Sequence, residues 1–177
     1  MVYAETERLR LRSWMEEDLK PFADMNRDPE VMKYFPALLT DAESERFYIN
    51  IQKEFEQRGW GLYAMELKST GVFIGYVGLH EIGFDAGFTP GIEIGWRLAA
   101  AYHNRGYATE AAKAVFEFAK SLGIRRVYSF TAKINKPSER VMQKIGMTKV
   151  GEFDHPKLDA CSPLLTHVLY RTDFYEP

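Results

Sequence analysis

The sequence predicts an α+β domain built on a mixed, mostly antiparallel sheet of about seven strands. Strand-like segments with period-2 apolar alternation outnumber segments of helical period. They occur in the order β-α-α-β-β-β-α-β-α-β-β, grouped rather than strictly alternating with helices. One helix separates two central strands, which therefore run parallel to each other within the antiparallel sheet. The chain has 177 residues, 46% hydrophobic and 27% charged, and carries no linker, repeat or low-complexity stretch, so one globular domain is expected.

The elements follow in order. Glu7–Trp14 alternates charge with leucine and reads as a half-buried strand. Ser13-x-x-Glu16 matches a capping box opening a helix from Met15 to about Arg27, and Thr40-x-x-Glu43 matches a second. That second helix spans Asp41 to Arg58, with Phe47, Ile51 and Phe55 on one face and Gly59 as its stop. Trp60–Leu67 and Val72–Leu79 form a hairpin through Lys68-Ser-Thr-Gly71, Phe84–Pro90 is a loop, and Gly91–Leu98 is the third central strand. Ala108, Ala111, Ala112, Val115, Ala119 and Leu122 share one face of a helix from Tyr107 to Leu122, ended by Gly123. Arg126–Ala132 is a strand and Pro137–Ile145 a short helix closed by Gly146. Met147–Asp154 and Leu164–Tyr175 complete the sheet.

A net charge of −2 argues against a general nucleic-acid or membrane-surface role. Cys161 is the single cysteine, so no internal disulfide forms. No uncharged apolar run approaches about 18 residues, and the first residues, Met-Val-Tyr-Ala-Glu-Thr-Glu-Arg, lack the apolar core of a signal peptide. A reduced cytoplasmic setting is expected.

The stretch from Glu93 to Ala111 is the most informative. Glu93-Ile-Gly-Trp-Arg-Leu98 reads as a buried strand, followed by a short loop and, from Tyr107, a helix whose first turn is built from small residues. A glycine-containing loop at a helix start leaves backbone N–H groups unpaired at the positive end of the dipole, an arrangement suited to phosphate. The spacing is neither a Walker loop nor a Rossmann fingerprint. The alternative is an ordinary strand–helix connection.

Four pieces fall in one order: Thr6-Glu-Arg-Leu-Arg-Leu-Arg12, Glu93–Leu98, Arg105-Gly-Tyr-Ala-Thr-Glu-Ala111, and Asn135-Lys-Pro-Ser138 with Val141-Met-Gln-Lys144-Ile-Gly146. Together they resemble the GCN5-related N-acetyltransferase (GNAT) family, and more closely its ribosomal-protein-alanine acetyltransferase (RimJ/RimL-like) branch. The resemblance covers almost the whole chain. It implies a single GNAT-type domain with helices on both sheet faces and a splayed parallel strand pair. It implies acetyl-CoA as co-substrate, no metal, and as acceptor a primary amine on a peptide N-terminus or a small molecule, and it allows a homodimer. The family's pyrophosphate loop, Gln/Arg-x-x-Gly-x-Gly/Ala, falls on His103, Asn104, Arg105, Gly106, Tyr107 and Ala108, with Thr109 in the same turn. His103 departs from the pattern, which matters little where the contacts are backbone N–H groups. Trp96, Arg97 and Leu98 are implied to present backbone groups to the pantetheine arm, with Gly95 permitting close approach. Asn135, Ser138 and Lys144 are implied as further cofactor contacts; Arg105, Lys133, Lys136, Arg140 and Lys144 meet its phosphates or are simply solvated.

Acetylating an amine requires a proton acceptor, because the free base of a lysine-type amine costs roughly 4–5 kcal/mol at pH 7. Glu93, a carboxylate in an apolar strand, is one candidate base, with a solvent-facing or Arg97-paired glutamate as the alternative. His80 on the adjacent strand is its rival. Many family members place an acidic tyrosine at the position occupied here by Met142, which has no proton to donate. Ser138 is left as a catalytic candidate that orients the thiol or relays a proton, against simple helix capping by Asn135 and Ser138 beside Pro137. The missing tyrosine and His103 also support a rival function, a non-catalytic acyl-CoA-binding or sensor module. Trp60, Tyr34, Phe35 and Phe84 suggest an aromatic acceptor site, or core. His155 and His167 have no third ligand in view, so no metal site is expected.

Overall fold

A computed structural model describes residues 1–174. In chain order the elements are β1 (Val2–Glu5), β2 (Leu9–Arg12), α1 (Leu19–Arg27), α2 (Asp41–Arg58), β3 (Leu62–Leu67), β4 (Val72–Glu81), β5 (Ile92–Leu98), α3 (Tyr107–Ser121), β6 (Arg126–Ala132), α4 (Lys136–Lys144), β7 (Thr148–Asp154) and β8 (Thr166–Asp173). Short 3-10 turns at Glu16–Asp18 and Ala100–Tyr102 lead into α1 and α3. The strands form a single eight-stranded sheet in the order β1-β2-β3-β4-β5-β6-β8-β7. Every neighbouring pair is antiparallel except β5 and β6.

The expected architecture is present, with one strand more than expected. β1 is a four-residue edge strand without apolar alternation, so only its pairing with β2 defines it. The Thr40–Glu43 capping box forms as expected: Thr40 Oγ1 accepts from Glu43 N and the Glu43 carboxylate accepts from Thr40 N. The Ser13–Glu16 box does not. Ser13 N donates instead to Met1 O, continuing the β1–β2 edge, and the turn into α1 closes where Asp18 accepts from Met15 N. The last strand runs Thr166–Asp173; Tyr175, its expected end, lies outside the described residues.

Helices cover both faces of the sheet. On one, Phe22 and Met25 of α1 and Ile51 of α2 pack with Trp14, Leu62, Ala64, Phe73 and Tyr76. On the other, Ala111, Ala112, Val115 and Ala119 of α3 and Met142 of α4 pack against Leu9, Leu11, Ile94 and Val168. The alanine-rich face of α3 lets the helix lie close against the strands. A smaller aromatic cluster of Phe84, Phe88, Tyr128, Phe130 and Phe153 sits under the 83–91 loop.

A buried ion network fixes the start of α1. The Arg12 guanidinium donates to both oxygens of Asp18, at 2.7 and 3.0 Å, and to Glu66 at 2.7 Å. Burial works against the Arg12 charge, yet the two carboxylates outweigh it and hold its pKa above the usual arginine value.

Candidate active site

The site is built around the parallel pair. β5 and β6 meet at a single register position, Glu93 opposite Tyr128, beside a hydrogen bond from Ser129 Oγ to Ile94 O at 3.0 Å. β5 stays paired with β4 along its whole length, from Ile92 to Leu98. β6 pairs along its own length with β8. The two central strands therefore separate beyond Glu93 as the resemblance implies, leaving one edge of β5 without a neighbouring strand.

Two bonds fix which groups that edge presents. Ile94 O accepts from Ser129, and Leu98 O accepts from His103 Nε2 at 2.8 Å, whereas Ala99 N turns the other way to Ile74 O. By strand alternation, Ile94, Trp96 and Leu98 aim their backbone polar groups at the splay, and Glu93, Gly95 and Arg97 aim theirs at β4. Trp96 and Leu98 thus turn backbone polar groups toward the splay. The Arg97 backbone instead faces Tyr76 of β4, and its side chain leaves on the opposite sheet face from Trp96.

The loop after β5 winds into the start of α3. Asn104 at φ 59° and Gly106 at φ 82° both adopt left-handed backbone, which turns the chain sharply at the helix entrance. Among the described residues, no protein acceptor meets the N–H groups of Asn104, Arg105, Gly106, Tyr107, Ala108 or Thr109. Arg105 and Gly106 are exposed, while Tyr107 is buried. His103 spends its ring N–H on Leu98 O, so it closes the loop onto β5 rather than reaching outward.

Arg8, which the sequence reading missed as a site element, clamps this loop. Its Nε donates to Glu110 Oε2 at 2.7 Å, its Nη1 donates to Arg105 O at 3.0 Å, and its guanidinium lies 4.4 Å from the Tyr107 ring centre. Glu110 also accepts from Arg8 N and Thr6 Oγ1. Burial would raise the Glu110 pKa, but these donors together hold it below the usual glutamate value. The Thr6-Glu-Arg8 segment thus ties the β1–β2 turn to the first turn of α3.

His80 and Glu93, the two rival bases, are a pair. They sit opposite each other in the β4–β5 register, and His80 Nε2 meets Glu93 Oε1 in a very short contact. His80 Nδ1 faces Glu81 O at 3.1 Å. Both ring nitrogens thus face acceptors, which only the imidazolium satisfies. Burial would lower the His80 pKa, but the charge and hydrogen bond of Glu93, helped by Glu54, raise it above the ordinary histidine value. Glu93 therefore neither faces solvent nor pairs with Arg97. The α2 end stands close by, through Arg58, whose Nη2 lies 2.7 Å from Glu81 Oε2.

At the start of α4, the Asn135 side chain caps the helix. Asn135 Oδ1 accepts from Ser138 N at 3.3 Å, and Asn135 Nδ2 donates to Thr131 Oγ1 at 2.8 Å. No hydrogen bond joins Ser138 to the His80–Glu93 pair among the described residues. Met142 is buried in the core, and Lys144 is exposed at the last turn of α4. Lys133 and Lys136 are engaged by Glu152 and Glu139.

The four aromatic residues expected near an acceptor do not form one site. Trp60 packs against the α3-side core and Phe35 lies over Arg97. Tyr34 lies beside Lys33, and Phe84 joins the cluster under its own loop. His155 and His167 flank that cluster with ring centres 4.9 Å apart, and burial lowers the pKa of both.

The profile of the acetyltransferase (GNAT) domain matches residues 8–148 of the chain. The uncharacterized N-acetyltransferase YnaD of Bacillus subtilis (strain 168) is 29% identical over 153 residues, covering 86% of each protein. A GNAT-family acetyltransferase from Bacillus anthracis has a similar structure, with a TM-score of 0.80 and 26% identity over 96% of both chains. RimL, the ribosomal L7/L12 alpha-N-protein acetyltransferase solved in complex with coenzyme A, gives 0.79 at 15% identity over 98% of both chains, a likeness of fold alone.

Proposed function

Because this chain belongs to the GNAT acetyltransferase family, we propose that it transfers an acetyl group from acetyl-CoA to a primary amine, the His80–Glu93 pair taking up the amine's proton. One observation carries the reading: the proton-accepting pair stands at the apex of the splay, on the same strand whose free edge leads to the unpaired N–H groups at the α3 start. A coenzyme A thioester fits these features. Asn104 to Thr109 would hold its pyrophosphate through backbone N–H groups, and Trp96 and Leu98 would extend the sheet to its pantetheine amides. The coenzyme supplies an activated acetyl group whose thiolate, of pKa about 8.5, needs little help to leave.

The chain's own contribution is proton management. The amine nitrogen forms the new amide bond as the C–S bond breaks, and the amine's proton must go to a base. His80 holds a proton at rest, so the pair becomes a base once that proton is lost. The deprotonated pair then takes up the amine's proton, and the contact between His80 Nε2 and Glu93 Oε1 stabilises the imidazolium that re-forms. A peptide N-terminus, of pKa about 7.7–8.0, is a milder demand than a lysine. We place the chain with the RimJ/RimL-like branch on this ground and on Met142, which removes a tyrosine acid. The acceptor is thus a peptide N-terminus or a small amine of similar basicity.

A thiol-release screen of free amines and N-terminal peptides with acetyl-CoA tests the activity. Glu93→Gln should lower turnover by about 10² while changing coenzyme affinity less than about threefold. Unchanged turnover would remove Glu93 from the chemistry. Tight coenzyme A binding with no thiol release across the panel would favour a sensor module instead.

A further inference from the structure

Three cross-strand pairs follow one another on the α1–α2 face of β4 and β5: His80 with Glu93, Gly78 with Gly95, and Tyr76 with Arg97. The middle pair is bare. The opening is on the β5 side: a Cβ on Gly95 would meet nothing within 4 Å, whereas Gly78 lies tight against the backbone of Gly61 and Leu62. Arg97 closes the far end, and it is an uncommon kind of arginine. It is only 8% exposed, yet no carboxylate pairs with it among the described residues. Its Nη1 donates to the neutral amide of Asn26 at 2.6 Å, its Nε is buried with no acceptor, and no acceptor in the protein meets Nη2 among the described residues. The rings of Phe35, Tyr76 and Phe47 surround it, with centres 4.0, 5.5 and 5.9 Å from the guanidinium carbon.

A buried cation with a neutral partner is costly, because aromatic faces and one amide offset only part of the lost hydration. We propose that Arg97 is a specificity residue that receives the carboxylate of the amine acceptor, so the enzyme takes short peptides or peptide-like amines bearing an anionic group. This rests on the acetyl-transfer reading above. The His80–Glu93 and Tyr76–Arg97 pairs lie four residues apart along the strand, about 13 Å at roughly 3.3 Å per residue. A free α-amino acid is too short to reach both ends. A peptide of about three residues, extending roughly 3.3–3.6 Å each, spans about 10–11 Å, and a hydrogen-bond contact of about 3 Å at each end lets its amine reach the pair and its carboxylate the guanidinium. The planar fork of arginine suits a carboxylate.

The test uses matched tripeptides that differ only in a free or amidated C-terminus, with thiol release and equilibrium binding measured for each. The wild-type protein should prefer the acid to the amide by about tenfold or more in both. Arg97→Gln should bring that ratio close to one. Asn26→Asp, which hands Arg97 an internal counter-charge without removing it, should also collapse the preference while keeping the melting temperature at or above wild type. It thus guards against an Arg97 variant that fails to fold. Equal rates and affinities for acid and amide in the wild type, or an acid preference that survives in Asn26→Asp, overturn the proposal. If no peptide releases thiol but the acids still bind better through Arg97, acetyl transfer fails and the anion subsite stands. If both forms are acetylated equally, the reverse holds.

Discussion

His80 and Glu93 act as one titrating unit, because their contact couples the loss of a proton from one to the charge of the other. The sign of the pH dependence follows. The field of Glu93 holds His80 protonated above its ordinary value of 6.5, so the base form appears only as pH rises past that raised value. In wild type the acid limb of the kcat/KM profile should lie above 6.5. In His80→Ala the limb should vanish. In Glu93→Gln burial, which lowers the His80 pKa, is no longer opposed by the Glu93 charge, so the limb should move to lower pH. A limb that stays in place in Glu93→Gln would separate the two residues mechanistically. Each residue was legible in the sequence as a candidate base, Glu93 from its apolar strand and His80 from its residue type on the adjacent strand. Their pairing was not, since it depends on β4–β5 register. The Asn26–Arg97 bond was further out of reach, joining residues 71 apart with no local signal. The Arg8 clamp on Glu110, 102 residues away, was hidden for the same reason.

At the scale of elements, local chemistry decided what could be read. The Thr40 capping box was legible because both its members lie within one turn and face solvent, where nothing competes. The Ser13 box has the same pattern and does not form, because the β1–β2 edge claims Ser13 N and the carboxylate of Asp18 takes over the closure. Asp18 has a second duty that makes it the weak point of the α1 start. It is buried, and it holds two of the bonds to the buried Arg12. Replacing it strands a charge that Glu66, shared with Arg10, only partly balances. Asp18→Ala should therefore lose about 3–5 kcal/mol of folding stability, the usual result of breaking a buried ion pair from one side. Urea denaturation read by circular dichroism checks this through the midpoint at constant slope. A loss below about 1 kcal/mol would mean that Glu66 alone balances Arg12. Lys20→Ala, in an exposed pair with Asp24, should by contrast change stability by less than about 1 kcal/mol.

For the whole molecule, the order of strands and helices was readable because apolar period is a local property, and it implied a parallel pair at the centre of the sheet. The splay itself was implied by family likeness rather than by pattern. It exists because β6 commits its length to β8 and keeps a single register position with β5, a global choice that no segment records. That division leaves the sheet in two halves joined at Glu93 and Tyr128, with α3 crossing from one to the other. A ligand lying along the free edge of β5 and ending at the α3 start would bind the folded chain only, since the unfolded chain has neither edge nor helix terminus. Coenzyme A at about 100 times its Kd should then stabilise the protein by about 2.7 kcal/mol. For a chain of this size that raises Tm by about 5–11 °C, measured by scanning fluorimetry or calorimetry. Gly106→Glu puts a carboxylate at the α3 entrance, where the helix dipole and unpaired N–H groups would otherwise favour an anion, and forces a side chain into left-handed backbone. Its own Tm should fall slightly and its response to coenzyme A should disappear. A wild-type-sized shift in Gly106→Glu would move the coenzyme away from the α3 start, and no shift in wild type would leave the splay without its ligand.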